Sequence, residues 1–92
     1  MIRSFKHKGL DRFFVKGDHR GIAAQFAPRI ERMLDRLDAI VKPADMDVPG
    51  YQFHPLKGAR AGEYAVSVSD NWRMTFRFDA EDAVDVSLED YH

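Results

Sequence analysis

The sequence predicts an α+β fold in which two N-terminal helices pack on one face of a small antiparallel sheet. Up to residue 41 the apolar residues recur with the period of a helix, and beyond residue 50 they alternate with polar residues as in strands. The length of 92 residues and the 45% content of hydrophobic residues fit a single domain, 1–92, with one small core.

The N-terminal segment contains a short strand and a short helix. Residues 2–5 alternate between apolar and polar types, which predicts a first strand. Leu10, Phe13 and Phe14 then follow the spacing i, i+3, i+4 of one helix face, which predicts a helix over 8–16.

A second helix is predicted over residues 24–41 by the clearest periodicity in the chain. Its apolar stripe consists of Phe26, Ile30, Met33, Leu34, Leu37, Ile40 and Val41. Pro28 is compatible with a helix only in the first turn, so the helix either begins near this residue or kinks there. Residues 42–50 form a loop that contains two prolines.

Beyond this loop the sequence predicts an antiparallel meander of short strands. The strands cover residues 51–54, 64–68, 72–78 and 84–88. Pro55 ends the first of them, because proline cannot donate to the ladder of hydrogen bonds. Val84, Val86 and Leu88 alternate with polar residues and are assigned to the apolar face of the last strand. The long helix covers the apolar face most economically and leaves the polar face free.

Charge and composition exclude several classes of protein. The formal net charge of −1 argues against a uniformly basic nucleic-acid-binding protein. The charge is nevertheless polarised, because residues 1–36 sum to +5, residues 37–50 to −2 and residues 51–92 to −4. The absence of cysteine excludes disulfides and a cysteine nucleophile and favours a cytoplasmic location. We expect no membrane partner, since no apolar run approaches the roughly 18 residues of a membrane span.

The free polar face of the sheet is a candidate binding surface. The residues assigned to it come from the predicted strand 72–78 and the turn before it, and they are Asn71, Arg73, Thr75 and Arg77. Arg73 and Arg77 lie four residues apart in a strand, project on the same side and could bind phosphate. Cross-strand pairing with Asp85 or Glu89 would occupy the same guanidinium groups, and both alternatives stay open here.

His54, Asp90 and His92 form a second candidate site, because each lies at the end of a predicted strand. Lys57 and Arg73 add cations near the same rim. Two imidazoles, a carboxylate and a cation suffice for acid–base cleavage of RNA. One base takes the proton of the 2′-hydroxyl, one acid protonates the departing 5′-oxygen, and the cation stabilises the charge on phosphorus.

The same three residues admit two other interpretations. His54, Asp90 and His92 offer an N,O,N set of ligands for a metal ion. Individually, His54 could be an ordinary boundary residue, and the last residues a solvated terminus.

Four segments of the chain resemble the HigB toxins of bacterial toxin–antitoxin pairs, which belong to the RelE-like superfamily of small ribonucleases. The segments are Met1–Leu10, His54–Gly58, Asn71–Phe76 and Glu89–His92. They occur in the order of the family, and the resemblance spans essentially all 92 residues.

The resemblance implies a microbial-ribonuclease-like sheet with two helices. It also implies a ribosome-dependent endoribonuclease that cuts mRNA in the ribosomal A site, without a metal or other cofactor, and thereby inhibits translation and arrests growth. The implied partner is a HigA-like helix-turn-helix antitoxin that binds away from the catalytic rim. Operator DNA would be contacted only through the toxin–antitoxin complex.

The resemblance also implies a set of site residues. The implied catalytic residues are His54, Asp90, Tyr91 and His92. The implied substrate- and phosphate-binding residues are Lys57, Asn71 and Arg73. In this assignment the two histidines transfer protons, Asp90 orients an imidazole or acts as a base, and Tyr91 orients the substrate or stacks on a base.

The net charge departs from the basic character typical of such toxins. Asp79, Glu81, Asp82 and Asp85 would repel RNA if they faced the ribosome. The alternative function is therefore a catalytically weak or inactive toxin-like module that only binds an antitoxin.

Overall fold

The computed structural model describes residues 1–90 and contains two N-terminal α-helices followed by a four-stranded antiparallel sheet. The helices are α1 (Lys8–Lys16) and α2 (Ala27–Ala39). The strands are β1 (His54–Pro55), β2 (Glu63–Ser67), β3 (Trp72–Asp79) and β4 (Asp82–Asp90), arranged in chain order. The predicted α+β fold is thereby confirmed.

Helix α1 has the predicted bounds and is capped at both ends. The His7 Nδ1 accepts a hydrogen bond from the Leu10 backbone N–H at 3.1 Å. Burial lowers the pKa of His7, which keeps this acceptor unprotonated. Gly17 ends the helix in a left-handed conformation with φ of 70°, where a side chain would be strained.

Helix α2 is shorter than predicted at both ends. Pro28 lies in its first turn, and a separate 3₁₀ turn covers Ala24–Phe26. The backbone becomes extended at Ile40, so Ile40 and Val41 lie beyond the helix. Pro43 accounts for an early end because it disfavours helical backbone at the residue before it, and Lys42 is extended.

The core lies between the two helices and one face of the sheet, called here the inner face. Its fully buried side chains include Leu10, Ile30, Met33, Leu34 and Leu37 from the helices and Val66, Met74, Phe76 and Val86 from the sheet. Among residues 1–90, neither α-helix covers the opposite, outer face, which is the polar face predicted from the sequence. Within residues 1–90, neither helix has the length and apolar composition needed to span a membrane.

The first predicted strand is reduced to two isolated bridges, and β1 is displaced. Ile2 pairs with Ala83 and Phe5 with Val86, without a continuous ladder between them. Strand β1 begins at His54 rather than at residue 51, because Gln52 has a left-handed backbone with φ of 51° that interrupts the extended run. Pro55 lies within β1 rather than beyond it, since an edge strand can leave one position without an N–H donor.

A β-bulge at Asp85 changes which side chains of β4 face the core. Thr75 pairs with Ser87 but Arg77 pairs with Val84, so β4 contains one residue more than β3 in this interval. Asp85 has a φ of 53°. Val84 therefore shares the outer face with Arg77, and its assignment to the apolar face was wrong.

Candidate active site

The register of the sheet places three rows of side chains on the outer face, because directly opposed residues share a face. The first row consists of Glu63, Arg77 and Val84, the second of His54, Ala65, Thr75 and Ser87, and the third of Ser67, Arg73 and Glu89. The outer face thus combines charged residues from β2, β3 and β4 with a histidine on the edge strand β1.

His54 is exposed at the edge of this face. Its Nδ1 lies 2.9 Å from the carbonyl oxygen of Gln52. A hydrogen on Nδ1 donates to that carbonyl and leaves the Nε2 lone pair directed away from the backbone. In this tautomer, Nε2 can accept a proton from a substrate hydroxyl.

Lys57 and Asn71 are both exposed, in two different loops. Lys57 directly precedes the 3₁₀ turn Gly58–Arg60 that follows β1. Asn71 directly precedes β3, whose first residue, Trp72, pairs with Asp90. Lys57 therefore belongs to the edge of the sheet that carries His54, and Asn71 to the end of β3 beside Asp90.

Arg73 is held by Glu89 on the neighbouring strand. Its Nε and Nη2 each lie 2.8 Å from Oε1 of Glu89. Arg77 instead lies 3.9 Å from Oε2 of Glu63, which the sequence did not suggest as a partner. Cross-strand pairing is therefore confirmed for Arg73 with Glu89, whereas Asp85 has no part in these two ion pairs.

Sequence analysis also missed Arg60, which binds two carboxylates of this face. Its Nε and Nη2 donate to Glu63 at 3.0 and 2.9 Å, and its Nη1 and Nη2 donate to Glu89 at 2.7 and 3.1 Å. These hydrogen bonds lower the pKa of both carboxyl groups, and the carboxylates raise the pKa of Arg60.

The Arg60 guanidinium crosses the middle of the outer face. Glu63 lies on β2 in the first row and Glu89 on β4 in the third, so the group that joins them passes over β3 near Thr75. This arrangement explains why Thr75 is only 1% exposed, although the sequence placed it on a free face. The outer-face network consists of Arg60, Glu63, Arg73, Arg77 and Glu89, and its formal charge is +1.

A family model described as the RelE-like toxin of the type II toxin–antitoxin system HigB matches residues 3–92. The chain belongs to this HigB family. The protein named Endoribonuclease HigB of Proteus vulgaris is 44% identical to it over 92 residues, which cover the whole of both chains.

Membership of the HigB family confirms the family resemblance and the predicted toxin class. The roles of individual site residues stay predictions. Asp90 is exposed at the end of β4, opposite Trp72 and on the face opposite to that of Glu89. Tyr91 and His92 lie outside the described residues. Within residues 1–90 no three ligand-type side chains are placed to hold a metal ion, and the suggested triad includes His92.

The strand order of the described residues places β2 and β3 between His54 and β4. Strands β1 and β4 are the first and last of the four strands, so three inter-strand spacings, about 14 Å along the sheet, separate His54 from Ser87. His54 and Lys57 therefore occupy one edge, and Arg73 lies beside β4 towards the other. Arg60 bridges the distance between them.

Three of the four acidic residues that were expected to repel RNA, Asp79, Glu81 and Asp82, lie at the turn of the β3–β4 hairpin. Asp79 and Asp82 flank the hairpin turn, and both form ion pairs with Arg3. The N-terminal ammonium lies 3.7 Å from Asp82. The negative charge of residues 79–82 is thus partly neutralised and lies at the opposite end of the hairpin from Arg73.

Proposed function

We propose that this chain is a ribosome-dependent, metal-independent endoribonuclease that cleaves mRNA in the ribosomal A site by general acid–base catalysis. The toxin class and the endoribonuclease activity predicted from the sequence are confirmed by the family and by the full-length relative. The catalytic proposal is best supported by the composition of the outer face, which combines an exposed imidazole with a network of net positive charge.

The proposed reaction begins at the 2′-hydroxyl of the nucleotide before the cut. A general base removes its proton, the 2′-oxygen attacks the adjacent phosphorus, and a cyclic phosphate forms. The bond to the 5′-oxygen breaks as a general acid protonates that oxygen. We assign these proton transfers to His54 and His92, with Asp90 orienting an imidazole or acting as a base.

Cations stabilise the phosphorane-like transition state in this proposal. Lys57 is exposed on the same edge as His54, where a flexible ammonium can follow a phosphate. The Arg73 guanidinium is fixed by Glu89 and faces the same side of the sheet. Preorganised charges of this kind stabilise a transition state without reorganising during the reaction. Asn71 would read a nucleotide and Tyr91 would stack on a base.

The type II family implies an antitoxin as partner and RNA as substrate. We further propose that the antitoxin is a HigA-like helix-turn-helix protein, that operator DNA is bound only through the complex, and that the toxin acts in the cytoplasm on translating ribosomes. An antitoxin bound on the helical side would leave the outer face uncovered. That side has a cavity of about 460 Å³ between α1 and α2, lined in part by Phe13, Phe14 and Leu34.

The test compares mRNA cleavage with and without translating ribosomes. Purified chain is incubated with one mRNA in a reconstituted translation reaction, as naked mRNA, and in a reaction that receives antitoxin. We expect cleavage at the A-site codon only in the first reaction. Equal cleavage of naked mRNA would contradict ribosome dependence, and no cleavage in any reaction would favour the binding module. Metal independence is tested by treating the purified chain with EDTA and removing the EDTA before the chain is added to the translation reaction. The treated chain should cleave at the rate of the untreated chain, and a loss of cleavage that added Zn²⁺ or Mn²⁺ restores would contradict metal independence.

A further inference from the structure

We propose that Arg60 is a positioning residue of the active site. It fixes the position of the segment that carries His54 and Lys57 relative to the end of β4. The inference rests on the proposed function, because it assigns a role within that same site. Arg60 is not assigned a contact with RNA.

The geometry of Arg60 supports this role directly. It lies at the end of the turn Gly58–Arg60, three residues after Lys57. Its two carboxylate partners are Glu63, at the start of β2, and Glu89, which directly precedes Asp90. One guanidinium thus connects the loop after β1, the start of β2 and the end of β4 through four hydrogen bonds.

The β1 segment depends on these side-chain hydrogen bonds because its backbone pairing is short. Strand β1 forms only two register pairs with β2, His54 with Ala65 and Pro55 with Tyr64. The Leu56 N–H donates to the backbone carbonyl of Glu63 at 2.8 Å, and the chain then leaves the sheet for a turn. A two-residue edge strand leaves the following loop prone to local opening. The bonds from Arg60 to β4 oppose that opening from the far side of the sheet.

The same bonds also fix Arg73. The Glu89 Oε1 accepts hydrogen bonds from both Arg60 and Arg73. The guanidinium of Arg60 therefore sets the orientation of the Glu89 carboxylate, which in turn orients the proposed phosphate-binding cation. A lysine at position 60 would keep the charge but lose the planar fork that binds two carboxylates at once.

The hydrogen bonds that Arg60 already makes argue for a positioning role rather than for substrate binding. Its Nε, Nη1 and Nη2 all donate to carboxylate oxygens in this structure. Four of its five N–H groups are engaged, so a phosphate could bind Arg60 through two hydrogen bonds only by displacing Glu63 or Glu89. Loss of Arg60 should therefore lower the rate of the chemical step more than the affinity for the ribosome.

The test is a double-mutant cycle of Arg60→Lys and Glu89→Gln. Single-turnover cleavage of mRNA on translating ribosomes gives the maximal rate and the toxin concentration for half-maximal rate. The matched control is Arg3→Lys, because Arg3 also bridges two carboxylates, Asp79 and Asp82, at the far end of the hairpin.

We expect Arg60→Lys to lower the maximal rate by about a hundredfold, the effect of misplacing a reacting group by about 1 Å. The half-maximal concentration should change by less than about threefold, and the double variant should be no worse than the poorer single variant. Arg3→Lys should cleave as the unaltered chain does. A wild-type rate for Arg60→Lys, additive losses in the cycle, or a loss confined to the half-maximal concentration would each overturn the proposal.

Amide hydrogen exchange keeps the inference separate from the proposed function. In Arg60→Lys we expect the amides of Leu56 and Ala61 to exchange about tenfold faster, with α2 amides unchanged. Unchanged exchange at the first two amides would overturn the positioning role even if the variant were inactive. Absence of cleavage by the unaltered chain would instead refute the proposed function, and the exchange result would still decide whether Arg60 holds the turn.

Discussion

The Nη1 of Arg60 lies 2.7 Å from Oε1 of Glu89, and this hydrogen bond joins residues 29 positions apart in the sequence. It connects the two edges of the outer face, since Arg60 follows β1 and Glu89 lies near the end of β4. The carboxylate is shared with Arg73. The outer face is therefore organised by ion pairs between its edges as well as by backbone pairing between its strands.

The pKa of Glu89 predicts an acid-sensitive fold. Hydrogen bonds from Arg60 lower this pKa below the ordinary value of 4.5, so the folded chain binds the proton more weakly than the unfolded chain does. The stabilisation is fully present above pH 4.5 and is lost as the pH falls through the lowered pKa. Glu89→Gln should cost about 1–3 kcal/mol at pH 7 and flatten the loss of stability between pH 5 and 3, as measured by urea unfolding.

Glu81 provides the control for this substitution, because it is exposed in the hairpin turn. Glu81→Gln should leave the stability at pH 7 within about 0.5 kcal/mol of the unaltered chain. An acid dependence of Glu89→Gln equal to that of the unaltered chain would contradict the assignment.

His7 predicts a second pH dependence, of separate origin. As the N-cap of α1 it must be unprotonated to accept the Leu10 N–H, and burial lowers its pKa below 6.5. The folded state therefore binds this proton less readily than the unfolded state, and its contribution to stability is lost as the pH falls from 6.5. His7→Ala should cost about 1 kcal/mol at pH 7. His7→Asn should retain the cap and lose the pH dependence between 7 and 5.5, which equilibrium unfolding at the two pH values would show.

The bulge at Asp85 predicts opposite effects for two substitutions. The backbone of Asp85 is left-handed, with φ of 53°, which a β-branched residue tolerates poorly. Asp85→Val should lose about 1–2 kcal/mol of stability, whereas Asp85→Gly should match or exceed the unaltered chain. Thermal unfolding of the pair tests this, and equal destabilisation by both would indicate that the aspartate side chain matters more than the backbone conformation.

The position of the acidic residues predicts that local charge on the outer face governs cleavage more than net charge does. Ser87 lies on β4 in the second row, opposite Thr75 and two residues from Glu89, whereas Glu81 lies in the hairpin turn. Ser87→Asp should lower the cleavage rate at least about tenfold, because the added carboxylate lies on the face that carries Arg73 and repels a phosphate bound there. Glu81→Lys, which changes the net charge by more, should alter the rate by less than about threefold at physiological salt because of screening.

The sequence predicted the elements that depend on neighbouring residues and failed where segments distant in the sequence decide the structure. Local periodicity placed α1 at its observed bounds and identified the strands that became β2, β3 and β4 to within a few residues. It failed at Val84, because the bulge at Asp85 depends on pairing with β3 and with the N-terminal segment. There the Asp85 N–H donates to Ser4 Oγ at 2.8 Å.

The contacts of the candidate site could be predicted where they join side chains on adjacent strands. Glu89 was one of the two cross-strand partners predicted for the arginines, because Arg73 and Glu89 alternate onto one face of adjacent strands. Arg60 was missed because it lies in a turn, and nothing in its local sequence indicates that it reaches β4. Glu63 was missed because a buried carboxylate at the start of a strand is recognisable only through its partners.

The most direct test of the outer face as the active site is the single-turnover rate of A-site mRNA cleavage by His54→Ala, compared with His19→Ala. Both histidines are exposed, but His19 lies on the helical side beside α2, in the lining of the cavity between the helices. Loss of one proton-transfer group should lower the rate of His54→Ala by about 10²–10⁴-fold, with His19→Ala at the rate of the unaltered chain. Full activity of folded His54→Ala, or an equal loss in both variants, would contradict the assignment of catalysis to the outer face.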